Sequence, residues 1–157
     1  MTILERKVNA ITRYILARNE RDEATACKEL DLLMSGNLPA GTVREEIDAL
    51  LTDLGVHAKL IGYEQVHEAI YLCVEKKDAI RAITRGLYPK VAEICGTTAS
   101  KAERAIRHAV EVCFDRCDAE HLQSYFGYCV NPMKGKLTNG EFIARCANII
   151  RERIAGG

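Results

Sequence analysis

From Thr97 to Glu111 the chain reads TTASKAERAIRHAVE, with Lys101, Arg104, Arg107 and His108 spaced so that a helix would carry four cationic or protonatable groups on one face. At about 100° per residue, Ala102, Ala105, Ile106, Ala109, Val110, Val112 and Cys113 fill one half of the wheel. Ser100, Lys101, Glu103, Arg104, Arg107, His108, Glu111 and Asp115 fill the other, with Phe114 just inside their edge. The buried half is mostly small, so a neighbouring helix can approach closely. Lys101 and Arg104 stand in the first turns, where the helix macrodipole disfavours a cation by a few tenths to about 1 kcal/mol. A polyanion docking on this face would give that placement a purpose.

Such a face has to be held by the elements around it. Ser100 and Glu103 fit a capping box, so the spacing predicts a helix from about Ser100 to Arg116. Upstream, Leu87-Tyr88-Pro89 opens a shorter helix, with proline where its missing N–H does no harm. Val91, Ala92, Ile94 and Cys95 would be its apolar face, and Gly96 its left-handed stop. A short helix, a glycine-containing turn and a second helix with a polar outer face make the helix-turn-helix layout. An ordinary helical hairpin with a solvated charged face has the same pattern, and these residues alone leave both readings open.

TTASKAERAIRHAVE resembles the recognition helix of the effector domain of the stage-zero sporulation response regulator, a transcription-factor family of endospore formation. The segment from Leu54-Gly55-Val56 through Gly62-Tyr63, with HEAI at His67 to Ile70, is similar to that family's first two helices. ITRGLYPKVAE at Ile83 to Glu93 is similar to its third, and FGY at Phe126 to Tyr128 and LTNGEFIA at Leu137 to Ala144 to its C-terminal part. The resemblance covers roughly residues 43 to 157. It implies an all-α domain of about six helices containing a helix-turn-helix. It also implies double-stranded DNA as partner, bound at a short promoter box, often by two domains head to tail on adjacent boxes.

By position, the resemblance makes Ser100, Lys101, Glu103, Arg104, Arg107 and His108 the DNA-contacting residues. Arg104 would read a guanine edge through its fork, and Glu103 would accept from a cytosine amino group. Arg107 and His108 would reach bases or phosphates. Lys134 and Lys136 match a flanking basic pair suited to phosphate. The family usually has arginine where this chain has Lys101, and lysine lacks the bidentate fork.

Lys plus Arg and Asp plus Glu are 22 each, so the chain carries no formal net charge, an objection to a DNA binder. The two parts differ, however. Residues 1–55 hold 7 basic and 10 acidic residues, and residues 56–157 hold 15 and 12, so the candidate DNA-binding part is mildly basic. Glu5, Arg6, Lys7 and Arg13 break the N-terminus, so no signal peptide is legible, and no apolar run is long enough for a membrane span. The 7 cysteines, an odd number mostly beside apolar residues, read as reduced thiols of a cytoplasmic protein.

Cys113, Cys117 and His121 recur at four-residue spacing with Cys129 following, which on one continuous helix would stack as zinc ligands. No C-x-x-C pair accompanies them, and the sporulation family has glycine at the position of Cys117, so a helix break is expected there. No metal, cofactor or small-molecule substrate is expected. His57, in a loop, and His67, on a helix, lack a nucleophile partner, so no catalytic residue is assigned and the chain is read as a non-enzyme.

In residues 1–41, Ile3, Leu4, Val8, Ile11, Ile15 and Leu16 recur at helical spacing, and a second helical stretch runs from about Asp22 to Met34. GNLPAG at Gly36 to Gly41 reads as a linker, and Thr42 with Glu45 as a second capping box that opens the matched domain, 42–157. Two helices this short cannot bury their apolar faces alone. They pack on the DNA-binding domain, or they pair with a second copy in a homodimer. About 40 residues are too few for a doubly wound receiver domain, so control without aspartyl phosphorylation is expected. A protein-interaction module that keeps the fold and pairs with other regulators without binding DNA is the alternative.

Overall fold

The computed structural model describes residues 8, 9, 11–13, 15, 40–127 and 135–155, the side chains of 40–42 excepted. The chain divides into two units, Arg44–Arg151 and a second comprising Met1–Val43 with Glu152–Gly157. The described residues are helical or in turns, with no strand among them, and the fold is all-α. From residue 40 on, the described residues form α1 (Ala40–Asp53), α2 (Tyr63–Glu75), α3 (Tyr88–Cys95), α4 (Ala99–Arg116), α5 (Ala119–Phe126) and α6 (Asn139–Ala155). Between α2 and α3 a 3-10 segment (Lys77–Ala82) runs into a π turn (Ile83–Leu87).

Apolar residues one helical face apart build the core of the Arg44–Arg151 unit. Ile47, Leu50, Leu51 and Leu54 come from α1 and the turn after it, and Val66, Ala69, Ile70 and Cys73 from α2. α4 adds Ala102, Ile106, Ala109, Val110 and Cys113, and α6 adds Phe142, Ile143, Cys146 and Ile150. Each set repeats at three- and four-residue intervals, the period that leaves the opposite face to water. Phe126, fully buried at the end of α5, stacks on Phe114 of α4 (centroids 6.1 Å) and tilts against Phe142 of α6 (5.6 Å). Burying such a ring is worth about 3–5 kcal/mol against alanine.

Side chains fasten the helix ends. Arg145 Nε donates to Tyr125 O at 2.8 Å, and an Arg151 guanidinium nitrogen donates to Cys73 O, each satisfying a carbonyl in a last turn. Arg44 of α1 pairs with Glu68 of α2 through both guanidinium nitrogens (2.5 and 3.3 Å) while its Cζ lies 4.0 Å over the Tyr71 ring. In the other unit, Thr12 Oγ1 donates to Val8 O at 2.9 Å, and Val8, Ile11 and Ile15 are each about half exposed.

Two expected helix starts are corrected. α1 begins at Ala40, ahead of the Thr42–Glu45 box, so Thr42 lies within the helix and part of the expected linker is helical. α4 begins at Ala99, because Thr98 is extended (φ −101°, ψ 156°) and its hydroxyl accepts from Lys101 N at 3.3 Å. Ser100 is therefore inside the first turn and is not the cap. The expected linker residues 36–39, the helix from Asp22 to Met34, Lys134 and Cys129 lie outside the described residues.

Candidate nucleic-acid interface

The turn between α3 and α4 follows from three residues. Pro89 sits in the first turn of α3, where no intrahelical N–H bond is lost. Gly96 takes the left-handed conformation (φ 66°, ψ 39°), and Thr97 N then reaches back to Ala92 O at 2.8 Å, the six-to-one bond of a Schellman stop. Thr98 turns the chain and caps α4. Val91 and Ala92 bury the inner face of α3; Ile94, expected to share that face, is 51% exposed. The helix is only eight residues long, so its apolar residues cannot all face one neighbour.

α2, α3 and α4 pack on one another. A close backbone approach is at Gly62, just before α2: a Cβ there would stand 2.5 Å from Ala105 O. On the far side of α4, Asn139 Nδ2 donates to both Tyr88 Oη (3.1 Å) and Glu103 O (3.2 Å), tying the first turn of α6 to α3 and α4 together. Neither contact was signalled by residue type or spacing alone. α6 itself starts with a reciprocal capping box, Thr138 N to Glu141 Oε2 (2.9 Å) and Glu141 N to Thr138 Oγ1 (3.2 Å).

Held in this way, α4 turns Ser100, Lys101, Arg104, Arg107 and His108 to solvent, with Glu103 partly exposed among them. These residues differ in what they already bind. Arg107 forks onto Glu103, with Nη2 to Oε2 2.5 Å and Nε to Oε1 3.1 Å, and that bond raises the guanidinium pKa further above its ordinary range. Among the described residues, the side chains of Lys101, Arg104 and His108 have no hydrogen-bond or ion-pair partner. Lys136 reaches across to Asp115 near the end of α4 (3.1 Å). No acid lies in the first turn of α4, so the positive end of the helix and Lys101 act on the same side.

A cleft of about 630 Å³ runs along one flank of α4, lined by Arg107, Glu103, Lys136, Asn139, Tyr88 and Thr84 among others. The arrangement can do two things chemically. Free guanidinium and ammonium groups can pair with phosphate or with base edges, and the Arg107–Glu103 pair presents a fixed donor–acceptor combination beside them.

The cysteine and histidine spacing around Cys113 resolves differently. α4 ends at Arg116, and Cys117 is extended (φ −77°, ψ 136°), so Cys113 and Cys117 do not share a continuous helix with His121. Cys113 is in the core, where burial pushes its thiol up to about 12, and His121 Nδ1 lies 2.9 Å from Asp118 Oδ2. Among the described residues no group of three or more His, Cys, Asp or Glu could hold a metal ion. His67 is buried on α2, with Nε2 3.1 Å from Asp48 Oδ1 and 3.3 Å from Arg44 O, a packing role; His57 is exposed in the α1–α2 turn. No described helix is long and apolar enough to cross a membrane.

The family model described as sporulation initiation factor Spo0A C terminal matches residues 47–150, a span holding α2 to α5 entire, half of α1 and most of α6. With the helix-turn-helix and its exposed cationic face in place, the chain belongs to the Spo0A C-terminal family, a family of DNA-binding regulatory domains of sporulation transcription factors.

Proposed function

We propose that the protein is a sequence-specific transcription regulator whose helix α4 enters the major groove at a short promoter box. The observation that carries this reading is the set of free basic side chains on α4: Lys101, Arg104 and His108, exposed and unpaired among the described residues, on the second helix of a helix-turn-helix. Arg104 reads a guanine through O6 and N7, the pairing its planar fork matches. Glu103 and Arg107, already joined, act as a unit: Glu103 accepts from a cytosine amino group while Arg107 turns a remaining donor to base or phosphate. His108 and Ser100 make shorter contacts at either end of the face. Lys136, with Lys134 beside it in sequence, exchanges Asp115 for a phosphate; the pair it leaves is solvent-exposed and worth at most about 1 kcal/mol.

The reading is tested by titrating duplexes with the family's box, and scrambled duplexes, at several salt concentrations. A preference for the box, with affinity falling steeply with salt, supports it. Arg104→Ala is expected to remove about 1–3 kcal/mol of that preference. Equal weak binding to both duplexes sinks the reading and favours a protein-interaction module.

A second copy of the chain is the proposed protein partner, through the N-terminal segment. Val8, Ile11 and Ile15 recur at helical spacing and stand half exposed, a stripe suited to pairing. Sedimentation of the full chain beside a Val8→Glu, Ile11→Glu, Ile15→Glu variant tests this: a dimer that the variant converts to monomer is expected, and a monomeric wild type contradicts it.

A further inference from the structure

The connection between α2 and α3 has a charge of its own. Over residues 76–90, the connection and the first turn of α3, Lys76, Lys77, Arg81, Arg85 and Lys90 stand against one acid, Asp78, in a chain of zero formal charge. All five cations are exposed. The one ion pair they make among the described residues is Arg81 Nε to Asp78 Oδ1 at 3.6 Å, with both side chains 83% exposed, a geometry that contributes little. The backbone is irregular here as well: a 3-10 segment passes into a π turn, a rare geometry found often at functional sites.

The two ends of this connection lie in different places. Ile83 and Thr84 line the cleft beside α4 together with Arg107 and Lys136. Ile83 Cδ1 is also 3.6 Å from where a Cβ on Gly140 would stand, at the start of α6. Lys76 instead follows the end of α2, where Arg151 holds Cys73 O. Gly140 and Arg151 are about 16 Å apart along α6. Arg81 and Arg85 are therefore within two residues of the cleft beside α4, whereas Lys76 and Lys77 adjoin the end of α2.

We propose that Arg81 and Arg85 are a second set of phosphate contacts, holding the DNA strand that borders the groove entered by α4. The inference rests on α4 reading duplex DNA. A phosphate strand laid along the cleft meets Arg107 and Lys136 in its lining, and Arg81 and Arg85 stand within two residues of the lining residues Ile83 and Thr84. Guanidinium forks suit phosphate oxygens in two-point contact, and such contacts fix register without reading sequence. An acidic protein would draw equally on Lys76 and Lys77, and that difference makes the two partners separable.

The test compares two double variants of the full chain, each removing two positive charges: Arg81→Gln with Arg85→Gln, and Lys76→Gln with Lys77→Gln. Each is titrated with box and scrambled duplexes across a salt series. The arginine variant is expected to reduce the slope of log affinity against log salt by about 1.8, or about 0.9 per lost phosphate, with the box-to-scrambled ratio unchanged. The lysine variant is expected to leave the slope within about 0.3 of wild type. Arg85→Gln alone, expected to lower the slope by about 0.9, serves if a double variant melts early. An unchanged slope in the arginine variant, or equal losses in the two doubles, overturns the proposal; equal losses would mark a net-charge effect. A wild type that fails to distinguish box from scrambled duplex sinks the recognition reading, and this one with it, through the ratio and not the slope.

Discussion

Gly62→Ala tests how α4 is held, at a point where backbone closely approaches backbone. Gly62 has φ 100° and ψ −8°, a left-handed conformation that disfavours a side chain by about 1–2 kcal/mol. The added Cβ would also stand 2.5 Å from Ala105 O, 3.0 Å from Ala105 C and 3.3 Å from Ala105 Cβ. Backbone cannot yield as a side-chain tip would, so α2 and α4 must separate, an overpacking cost of about 1–3 kcal/mol. The two together come to about 2–5 kcal/mol, or a melting temperature lower by about 8–20 °C at roughly 4 °C per kcal/mol. Gly96→Ala separates the two causes. Its φ of 66° is also left-handed, but nothing lies within 4 Å of the new Cβ, so only the conformational cost applies and the loss is about 4–8 °C. Thermal melts by circular dichroism decide it. Gly62→Ala, measured cold enough to stay folded, should also lose affinity for the box, because Ala105 adjoins Arg104. Equal melting losses in the two variants, or a Gly62→Ala melt within about 4 °C of wild type, would refute the close approach of α2 to α4.

Three further outcomes are expected. Cys73 and Cys113 are buried and their thiols are pushed up, to about 11 and about 12, so thiol reagents at neutral pH should label them only on unfolding, whereas the half-exposed Cys95 and Cys117 react in the folded chain; equal rates at all four would contradict the packing. The Asp118 carboxylate raises the His121 pKa above 6.5, and is itself lowered below 3.8, first by the His121 backbone N–H that it caps and then by the imidazole. The histidine's contribution is therefore present below pH 6.5 and lost as pH rises through its raised value, and that of Asp118 is lost as pH falls through its lowered one. In an NMR titration the His121 midpoint should lie above 6.5 and fall in Asp118→Asn; an identical midpoint in both would show that the pair does not form. Asn139→Ala removes donors to Tyr88 Oη and Glu103 O, and should cost about 1–3 kcal/mol in urea unfolding.

The second helix of the motif was legible almost to the residue, because its signal is periodic. Ala102, Ile106, Ala109, Val110 and Cys113 mark the inner face, and α4 ends where the break was expected, at Cys117. The stop of α3 was legible for a different reason: Gly96 is the one residue there at ease with positive φ. Capping was read less well. Ser100–Glu103 and Thr42–Glu45 have the spacing of a capping box, yet Glu103 pairs with Arg107 and α1 starts earlier. The pair that does form the box is Thr138 and Glu141. The spacing recurs on any polar helix face, and what selects the true cap is the extended backbone of the capping residue itself, which spacing does not encode. The connection from Lys77 to Leu87 was not legible either, since 3-10 and π turns have no hydrophobic period of their own. The contacts of Gly62 and Asn139 depend on how separate helices meet. The assignment of α4 residues to DNA rests on family membership joined to their exposure.

Chemical-shift mapping on the isotope-labelled chain, titrated with a duplex carrying the family's box, tests most directly whether α4 is the DNA-reading face. The largest amide and side-chain shifts are expected on Ser100, Lys101, Glu103, Arg104, Arg107 and His108, and a scrambled duplex should shift them less. Shifts that leave α4 unmoved while other surfaces respond would contradict that role for α4.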